Sequence, residues 1–266
     1  MTTFNQYLIT ESILTYDSLM LLILGEILAI KIPNYYNKLQ CDLLSQLINQ
    51  KMSAQSNASG NIYESDMESF WNTIDNVEIK KQYFNKAVTS IREWRNATYF
   101  TYPSDKIRLE IDEIWPTGAN LMRIDTMPML FGIIRRWREG FEALPHQDIL
   151  NREITTHAET STQMSQLGVN VYLNSAEEGG ELELWNYSVQ DSEYEKFVEG
   201  GVKNSYGFDR AKIPAAALNI KPNIGDLILI NTTNVHAIKK VIKGQRLTVS
   251  GFVGCFGLDK PLKLWS

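Results

Sequence analysis

The chain has 266 residues, of which 44% are hydrophobic, and a formal net charge of −5 at pH 7. This length and apolar content suit one sizeable domain, or a core domain with a helical annex. The acidic balance, without any Lys/Arg-rich block, argues against a nucleic-acid partner. The two cysteines, Cys41 and Cys255, are far apart in sequence, which favours a reduced, cytoplasmic setting over a disulfide framework.

The most apolar run covers residues 19–32 and contains Glu26 and Lys31. It is short for a transmembrane helix. Residues 1–18 contain no basic side chain, whereas a secretory signal needs one ahead of its apolar segment. We therefore expect buried structure in a soluble protein with no membrane partner.

The first 120 residues show mainly helical patterning. Apolar spacing predicts a buried strand over 26–32 and helices over 10–24, 36–50, 68–73, 77–93 and 104–115, the last with Ser104 as N-cap. The polar stretch 51–62 is interpreted as a surface loop. Aromatic residues in this part, such as Phe70 and Trp71, are interpreted as core rather than as part of a ligand site.

The pattern changes near residue 125. Short β-branched or alternating runs predict strands over 129–137, 168–174, 181–185, 226–230, 236–242 and 246–253. Such runs without long helices between them favour a β-sandwich or barrel. We therefore predict an α+β chain: a helical region with an edge strand over 1–124, packed on a β-rich core over 125–266.

A candidate metal site begins at His146-Gln147-Asp148. On an extended segment, side chains two residues apart project from the same side of the backbone. His236 follows later, at the start of an apolar strand. Two histidines and one carboxylate form the facial triad of non-haem Fe(II) oxygenases. The third histidine, His157, lies in a polar segment interpreted as a loop or part of a lid, so His236 is the preferred ligand.

Arg246 follows His236 by ten residues. A guanidinium can hold a dicarboxylate cosubstrate by a bidentate salt bridge, and Thr248 would add a hydroxyl from the same strand face. The neighbours Leu247, Val249 and Phe252 are expected to bury the opposite face, so Arg246 points either into a barrel or into water, and the residues alone leave this open.

Other polar residues are weaker candidates. Asn170 and Tyr172 share one strand face and could contact cosubstrate or substrate, although an ordinary half-exposed strand explains them nearly as well. Arg135, Arg136 and Arg138 precede the iron motif. One of them could bind a substrate carboxylate, but surface charge is the simpler interpretation for each.

The ordered set His146-x-Asp148, His236 and Arg246-x-Thr248 resembles the Fe(II)/2-oxoglutarate-dependent oxygenase superfamily. The segments Gly179-Gly180-Glu181-Leu182 and Pro222-Asn-Ile-Gly225-Asp226 extend this resemblance over roughly residues 125–256. Within the superfamily, the chain looks like the branch of small-molecule (amino-acid and natural-product) hydroxylases and aliphatic halogenases. The resemblance implies a double-stranded β-helix (jelly-roll) core with buttressing N-terminal helices.

The same resemblance implies a function. It implies Fe(II) bound by His146, Asp148 and His236, with 2-oxoglutarate anchored by Arg246 and O₂ as the oxidant. The expected reaction is hydroxylation of an unactivated C–H bond of a small molecule, such as a free amino acid or a natural-product intermediate. The related halogenases have a small residue at the position of Asp148, so halogenation is not expected.

Three alternatives remain open at this point. The same cofactors could support desaturation or epimerisation. A zinc hydrolase could also use two histidines and an aspartate, and a jelly-roll module could bind metal without turnover. Neither of the last two needs Arg246. The sequence does not indicate the oligomeric state.

Overall fold

The computed structural model describes residues 3–52, 57–58, 63–74, 76–154, 160–190, 193–194 and 207–266. Within these ranges the α-helices are α1 (Tyr16–Ile23), α2 (Lys38–Met52), α3 (Val77–Asn96), α4 (Pro103–Ile114) and α5 (Leu150–Glu153). Short 3₁₀ turns lie at Phe70–Thr73, Thr160–Thr162 and Arg210–Lys212. No helix in these ranges is both long enough and apolar enough to cross a bilayer.

A helix is present at each predicted place, the one at Phe70–Thr73 as a 3₁₀ turn. Some of the helices begin or end at other residues than predicted. The predicted helix 10–24 begins later, because Thr15 caps α1 by accepting a hydrogen bond from the Ser18 amide. The prediction that Ser104 caps α4 is wrong. Pro103 occupies the first helical turn and Tyr102 is the N-cap residue. Proline suits that position because its missing N–H would have no partner there.

The strands outnumber those predicted. They are β1 (Thr3–Asn5), β2 (Leu8–Thr10), β3 (Ala29–Ile32), β4 (Asn57–Ala58), β5 (Glu64–Ser65), β6 (Ala119–Leu121), β7 (Arg123–Ile124), β8 (Met127–Pro128), β9 (Ile133–Trp137), β10 (Ala143–His146), β11 (Ser165–Asn174), β12 (Glu178–Gly179), β13 (Leu182–Leu184), β14 (Leu218–Ile220), β15 (Leu227–Asn231), β16 (His236–Ile238), β17 (Val241–Lys243), β18 (Arg246–Cys255) and β19 (Leu262–Trp265). The chain is therefore a mixed α and β structure with a β-rich second half.

Two sheets position the site. The large sheet has the order β1-β2-β3-β15-β11-β18-β9-β5-β4, and β19 also pairs with β18 and with β6. The small sheet has the order β10-β16-β13-β14. Strand β3, from the first part of the chain, pairs antiparallel with β15 and is followed outward by β2 and β1. A division of the chain between residues 124 and 125 stays a prediction.

The central strand β11 shows which face of the large sheet each element covers. Its residues Leu167, Val169, Val171 and Leu173 are buried in the same cluster as the apolar sides of α1 and α2. Tyr172, on the other face, packs in a second cluster with residues of β13 and β16. Because strand side chains alternate between faces, the helices cover one face of the large sheet and the small sheet covers the other.

Candidate active site

A cavity of about 240 Å³ lies between the two sheets. Asn170 and Arg246 reach it from the large sheet, and His146 and His236 reach it from the small sheet. Ligand sites of proteins are typically concave spaces of this kind with a few convergent polar groups. The cavity is therefore the candidate active site.

The two histidines are brought together by strand pairing. His146 at the end of β10 is the direct cross-strand partner of His236 at the start of β16, and their ring centroids are 4.3 Å apart. Asp148 lies two residues beyond His146, and its amide donates to the Thr232 carbonyl at 3.1 Å. The Thr232 hydroxyl donates in return to the Asp148 carbonyl at 3.2 Å. The turn that carries Asp148 is thus fastened to the large sheet.

The donor atoms of this His-Asp-His cluster converge. Nε2 of His146 is 3.6 Å from Asp148 Oδ1, and Nε2 of His236 is 3.3 Å from Asp148 Oδ2. One donor atom from each residue can be chosen so that all lie within 4.8 Å of one another. Neighbouring ligands about 2.1 Å from one ion sit about 3 Å apart. The arrangement fits a single metal ion.

The far side of each ring is held by backbone. His146 Nδ1 lies 2.6 Å from the Leu144 carbonyl and His236 Nδ1 lies 3.2 Å from the Asn234 carbonyl. In the Nδ1-protonated tautomer both contacts are hydrogen bonds, which leaves each Nε2 unprotonated and turned toward Asp148. Such outer contacts commonly fix the tautomer and orientation of ligating histidines.

The protonation states also suit metal binding. Burial, and then the charge of His236, lowers the pKa of His146 to about 4. Burial acts to raise the pKa of Asp148, but the neighbouring imidazoles and Arg135 outweigh it and hold that pKa well below its usual range. Metal ligands must be deprotonated. His146 and Asp148 meet this requirement at neutral pH.

Arg246 faces the cavity, which answers the question that the sequence left open. Its side chain is buried, and it donates to the Tyr172 hydroxyl at 3.0 Å and to the Gly180 carbonyl at 3.3 Å. Its Nε has no hydrogen-bond partner among the described residues, and no described carboxylate forms an ion pair with it. Burial lowers the pKa of Arg246, yet an arginine remains protonated in proteins. A buried cation of this kind is a site for an anion.

The Gly179-Gly180 motif has a structural reason. Both residues have positive φ, 74° and 70°, and a Cβ on Gly179 would lie 2.0 Å from the Lys240 carbonyl oxygen. Only glycine tolerates this close turn. The turn leads from β12 to β13 and places the Gly180 carbonyl against Arg246.

The other predicted polar residues form a chain along the cavity face of the large sheet. Thr248 pairs across the strands with Tyr172, and its hydroxyl lies 2.8 Å from that of Ser250. Ser250 donates to Asn170 Oδ1 at 2.9 Å. Asn170 borders the cavity, while the Tyr172 ring lies 4.9 Å from the Arg246 guanidinium. The structure thus brings Asn170, Tyr172, Arg246 and Thr248 onto one wall.

Some interpretations of the sequence need correction. The interpretation of Arg135 and Arg136 as surface charges is wrong. Arg135 borders the cavity, and Arg136 is 4% exposed and pairs with Glu64. Alternation along Ile133, Arg135 and Trp137 is the signal that could have placed Arg135 on the inner face. Trp71 is not core, since it is 44% exposed and borders the cavity. Phe70 is buried as expected but also borders the cavity, and so does Phe252, which was expected on the opposite face.

Two further expectations concern residues that the structure covers only in part or not at all. His157 lies outside the described residues. Of the predicted loop 51–62, the described part ends α2 at Met52 and forms β4 at Asn57–Ala58.

Comparison with known proteins shows which family the chain resembles. The family model described as the 2OG-Fe(II) oxygenase superfamily matches residues 132–254, which include the His-Asp-His cluster and Arg246. The match covers a little under half of the chain, and over these residues the chain is similar to this superfamily. Its members use Fe(II), 2-oxoglutarate and O₂. The donor set of the cluster and the unneutralised Arg246 are what such a metal and such a dicarboxylate require.

Curated relatives cover the chain in part. The chain is 26% identical over 141 residues to an L-isoleucine 3(1)-dioxygenase of Pantoea ananatis, covering 51% of this chain and 47% of that protein. It is 23% identical over 187 residues to an L-gamma-glutamyl-L-propargylglycine hydroxylase of Streptantibioticus cattleyicolor, covering 70% of this chain and 66% of that protein. The aligned segments thus span about half to two thirds of these oxygenases.

Solved structures share the fold. An N-substituted L-amino acid dioxygenase of Burkholderia ambifaria, in complex with alpha-KG, superposes with a TM-score of 0.58 over 94% of this chain and 90% of that chain, at 15% identity. This likeness covers nearly the whole chain, including its helical first part.

Proposed function

We propose that the chain is an Fe(II)/2-oxoglutarate-dependent dioxygenase that hydroxylates an unactivated C–H bond of a small molecule, with a free amino acid or an amino-acid-derived natural-product intermediate as substrate class. The observation that carries the proposal is a convergent His-Asp-His cluster that shares one cavity with a buried arginine without an ion-pair partner among the described residues. In this proposal the two sheets form the double-stranded β-helix of the superfamily. The two free, buried cysteines support a cytoplasmic location as part of the same proposal.

Each residue has a defined task in the proposal. His146, Asp148 and His236 would hold Fe(II) through their converging donor atoms. Arg246 binds the distal carboxylate of 2-oxoglutarate by a charge-assisted pair, and Thr248 adds a hydroxyl beside it. Tyr172 positions Arg246 through its hydroxyl and its ring, and Asn170 offers an amide on the same wall.

When bound, the iron and 2-oxoglutarate supply the oxidation itself, in which O₂ yields a hydroxylated product together with succinate and CO₂. The chain binds and orients the reactants and excludes water from the cavity between the sheets. The Asp148 carboxylate would hold the metal where the related halogenases have a small residue, which supports hydroxylation over halogenation. The two relatives named as a dioxygenase and a hydroxylase of amino-acid compounds support the substrate class.

The buried arginine also weighs against the alternatives from other classes. A zinc hydrolase or a non-catalytic metal-binding module would leave the positive charge of Arg246 buried without an anion, which costs free energy. Desaturation or epimerisation would use the same residues and differs only in the product.

The test is a turnover assay with a panel of free L-amino acids. Purified protein is loaded anaerobically with Fe(II) and 2-oxoglutarate, its optical spectrum is recorded with and without each amino acid, and O₂ is then admitted. We expect at least one amino acid to perturb the spectrum, to stimulate succinate formation and to gain one oxygen atom by mass spectrometry. Loading that requires Zn²⁺ instead of Fe(II), or the absence of any 2-oxoglutarate binding, would contradict the proposal.

A further inference from the structure

A second arginine, Arg135, stands on the same wall of the cavity as Arg246. It lies on β9, where it pairs across the strands with Thr248, while its neighbour Trp137 pairs with Arg246. Directly paired residues of adjacent strands project from the same face of a sheet. Arg135 therefore shares the inner face with Thr248 and borders the cavity.

Arg135 forms no ion pair within 4.0 Å in the described part of the chain, although its charge helps to lower the pKa of Asp148. Its Nε is buried without a hydrogen-bond partner, and its guanidinium lies 5.2 Å from the Tyr63 ring and 5.9 Å from the Phe252 ring. The two neighbouring arginines differ, since Arg136 pairs with Glu64 at 2.5 Å and Arg138 pairs with the same carboxylate at 2.8 Å. Glu64 is thus already paired with two arginines, and the guanidinium of Arg135 is left without a direct carboxylate contact.

The charged side chains around the cavity point to an anionic group on the substrate. Among the described residues that border it, Arg135 and Arg246 carry guanidinium groups and Asp148 carries a carboxylate. Asp148 belongs to the His-Asp-His cluster, and Arg246 is assigned to 2-oxoglutarate. The guanidinium of Arg135 is therefore the remaining cation, and a substrate carboxylate could pair with it.

We propose that Arg135 binds the carboxylate of the substrate and so selects molecules with a free carboxylate, such as amino acids whose α-carboxyl group is not blocked. The inference rests on the proposed function and adds a residue that recognises the substrate. Arg246 is held in place by Tyr172 and Gly180 and serves the cosubstrate, whereas the unpaired guanidinium of Arg135 remains available. Arg135 is half-buried beside the cavity, and a charge pair formed there is stronger than one at the surface.

Apolar side chains that border the cavity indicate the character of the rest of the substrate. Trp71 and Ile74 border the same cavity and are 44% and 43% exposed. Apolar side chains at a cavity mouth favour an apolar substrate group. The substrate class is therefore a monocarboxylate whose remaining part is mainly aliphatic or aromatic.

Matched acids and amides test the inference. Each free L-amino acid that binds the wild type loaded anaerobically with Fe(II) and 2-oxoglutarate is compared with its primary amide by calorimetry. We expect the wild type to bind the amide about 10- to 100-fold more weakly, the usual effect of losing a charge-assisted hydrogen bond. Arg135→Met should weaken the acid by a similar factor and abolish the difference between acid and amide, while the affinity for 2-oxoglutarate stays unchanged.

Two further variants make the result decisive. Arg135→Lys keeps the charge and should retain part of the preference for the acid. Arg138→Met removes the arginine just beyond the same strand, whose side chain is 54% exposed, and should behave as the wild type. Melting temperatures and 2-oxoglutarate binding of each variant show whether it is folded; if Arg135→Met is not, Arg135→Lys and the wild-type comparison of acid with amide decide.

Failure of the inference and failure of the proposed function look different. If the wild type binds amino acids but Arg135→Met still prefers the acid, Arg135 does not recognise the carboxylate. Loss of 2-oxoglutarate affinity in Arg135→Met would instead make Arg135 the cosubstrate anchor and overturn the inference. If the wild type binds neither 2-oxoglutarate nor any amino acid, the proposed function fails and the inference fails with it.

Discussion

Replacing Arg246 by methionine should separate the stability of the protein from its affinity for 2-oxoglutarate. Burying a charge costs several kcal/mol. Against this cost stand hydrogen bonds from Arg246 to the Tyr172 hydroxyl and the Gly180 carbonyl, each about 1.5–3 kcal/mol for a charged donor. The rings of Tyr172 and Trp137, at 4.9 and 5.6 Å, add about 2 kcal/mol together. The terms nearly cancel, so Arg246→Met should change the stability of the ligand-free protein by less than about 2 kcal/mol.

The effect on the ligand-bound protein should be much larger. At a 2-oxoglutarate concentration of about 100 times Kd, binding stabilises the wild type by about 2.7 kcal/mol. Losing a buried charge pair costs roughly 3–5 kcal/mol of affinity, so Kd rises by more than about 100-fold. At the same concentration the variant then gains less than about 0.4 kcal/mol. For a chain of this size, 1 kcal/mol corresponds to about 2–4 °C in melting temperature.

Thermal unfolding with Fe(II) under anaerobic conditions measures both quantities. The wild type should gain about 5–10 °C on addition of 2-oxoglutarate, and Arg246→Met less than about 2 °C. Arg138→Met, whose guanidinium pairs with Glu64 away from the cavity, is the matched control and should respond as the wild type. An equal 2-oxoglutarate shift in Arg246→Met would refute the assignment of Arg246 as the anchor.

The remaining predictions concern the metal, chloride and pH. Alanine at His146, Asp148 or His236 should abolish stoichiometric Fe(II) binding measured by equilibrium dialysis, and full retention in His236→Ala would move the site elsewhere. The wild type should give no chlorinated product at high chloride, and Asp148→Gly should mostly lose activity; a chlorine isotope pattern from the wild type would contradict this. Burial raises the pKa of Asp66 from 3.8 to about 6, despite hydrogen bonds donated by the Ile134 amide and the Trp94 indole. Folding therefore favours the protonated carboxyl. The resulting stabilisation of up to about 3 kcal/mol is present below pH 4 and is lost as pH rises through 6. The free energy of unfolding of Asp66→Asn, measured with urea, should not fall over this pH range.

The convergence of His146, Asp148 and His236 was predictable because its signals are local. His146 and Asp148 are two residues apart on a strand end, and His236 stands at the start of an apolar strand after the Gly225-Asp226 turn. Few histidines compete for the role. The sequence pattern therefore predicts the residues that the structure brings to one point, although the cross-strand pairing of His146 with His236 is visible only in the fold.

The charged wall of the cavity was harder to predict because its signals are not local. Arg135 and Arg136 are adjacent, but Glu64 takes the charge of one and not of the other, and Glu64 is about seventy residues upstream. Nothing in the sequence around β9 indicates that β5 will pair with it. Short strands such as β5 and β12 carry little apolar periodicity, and tertiary pairing rather than local propensity determines them.

Strand β11 shows how the helices of the first part of the chain bear on the chemistry. Val169 and Val171 pack against the helices, while Asn170 and Tyr172 between them face the cavity and Arg246. Because successive side chains of a strand point to opposite faces, the apolar packing on one side fixes which polar residues reach the other. A shift of one residue in this register would place valines in the cavity and polar groups among the helices. The apolar core under α1 and α2 is therefore what holds the polar wall in its orientation, and this wall is built on the central strands of the large sheet.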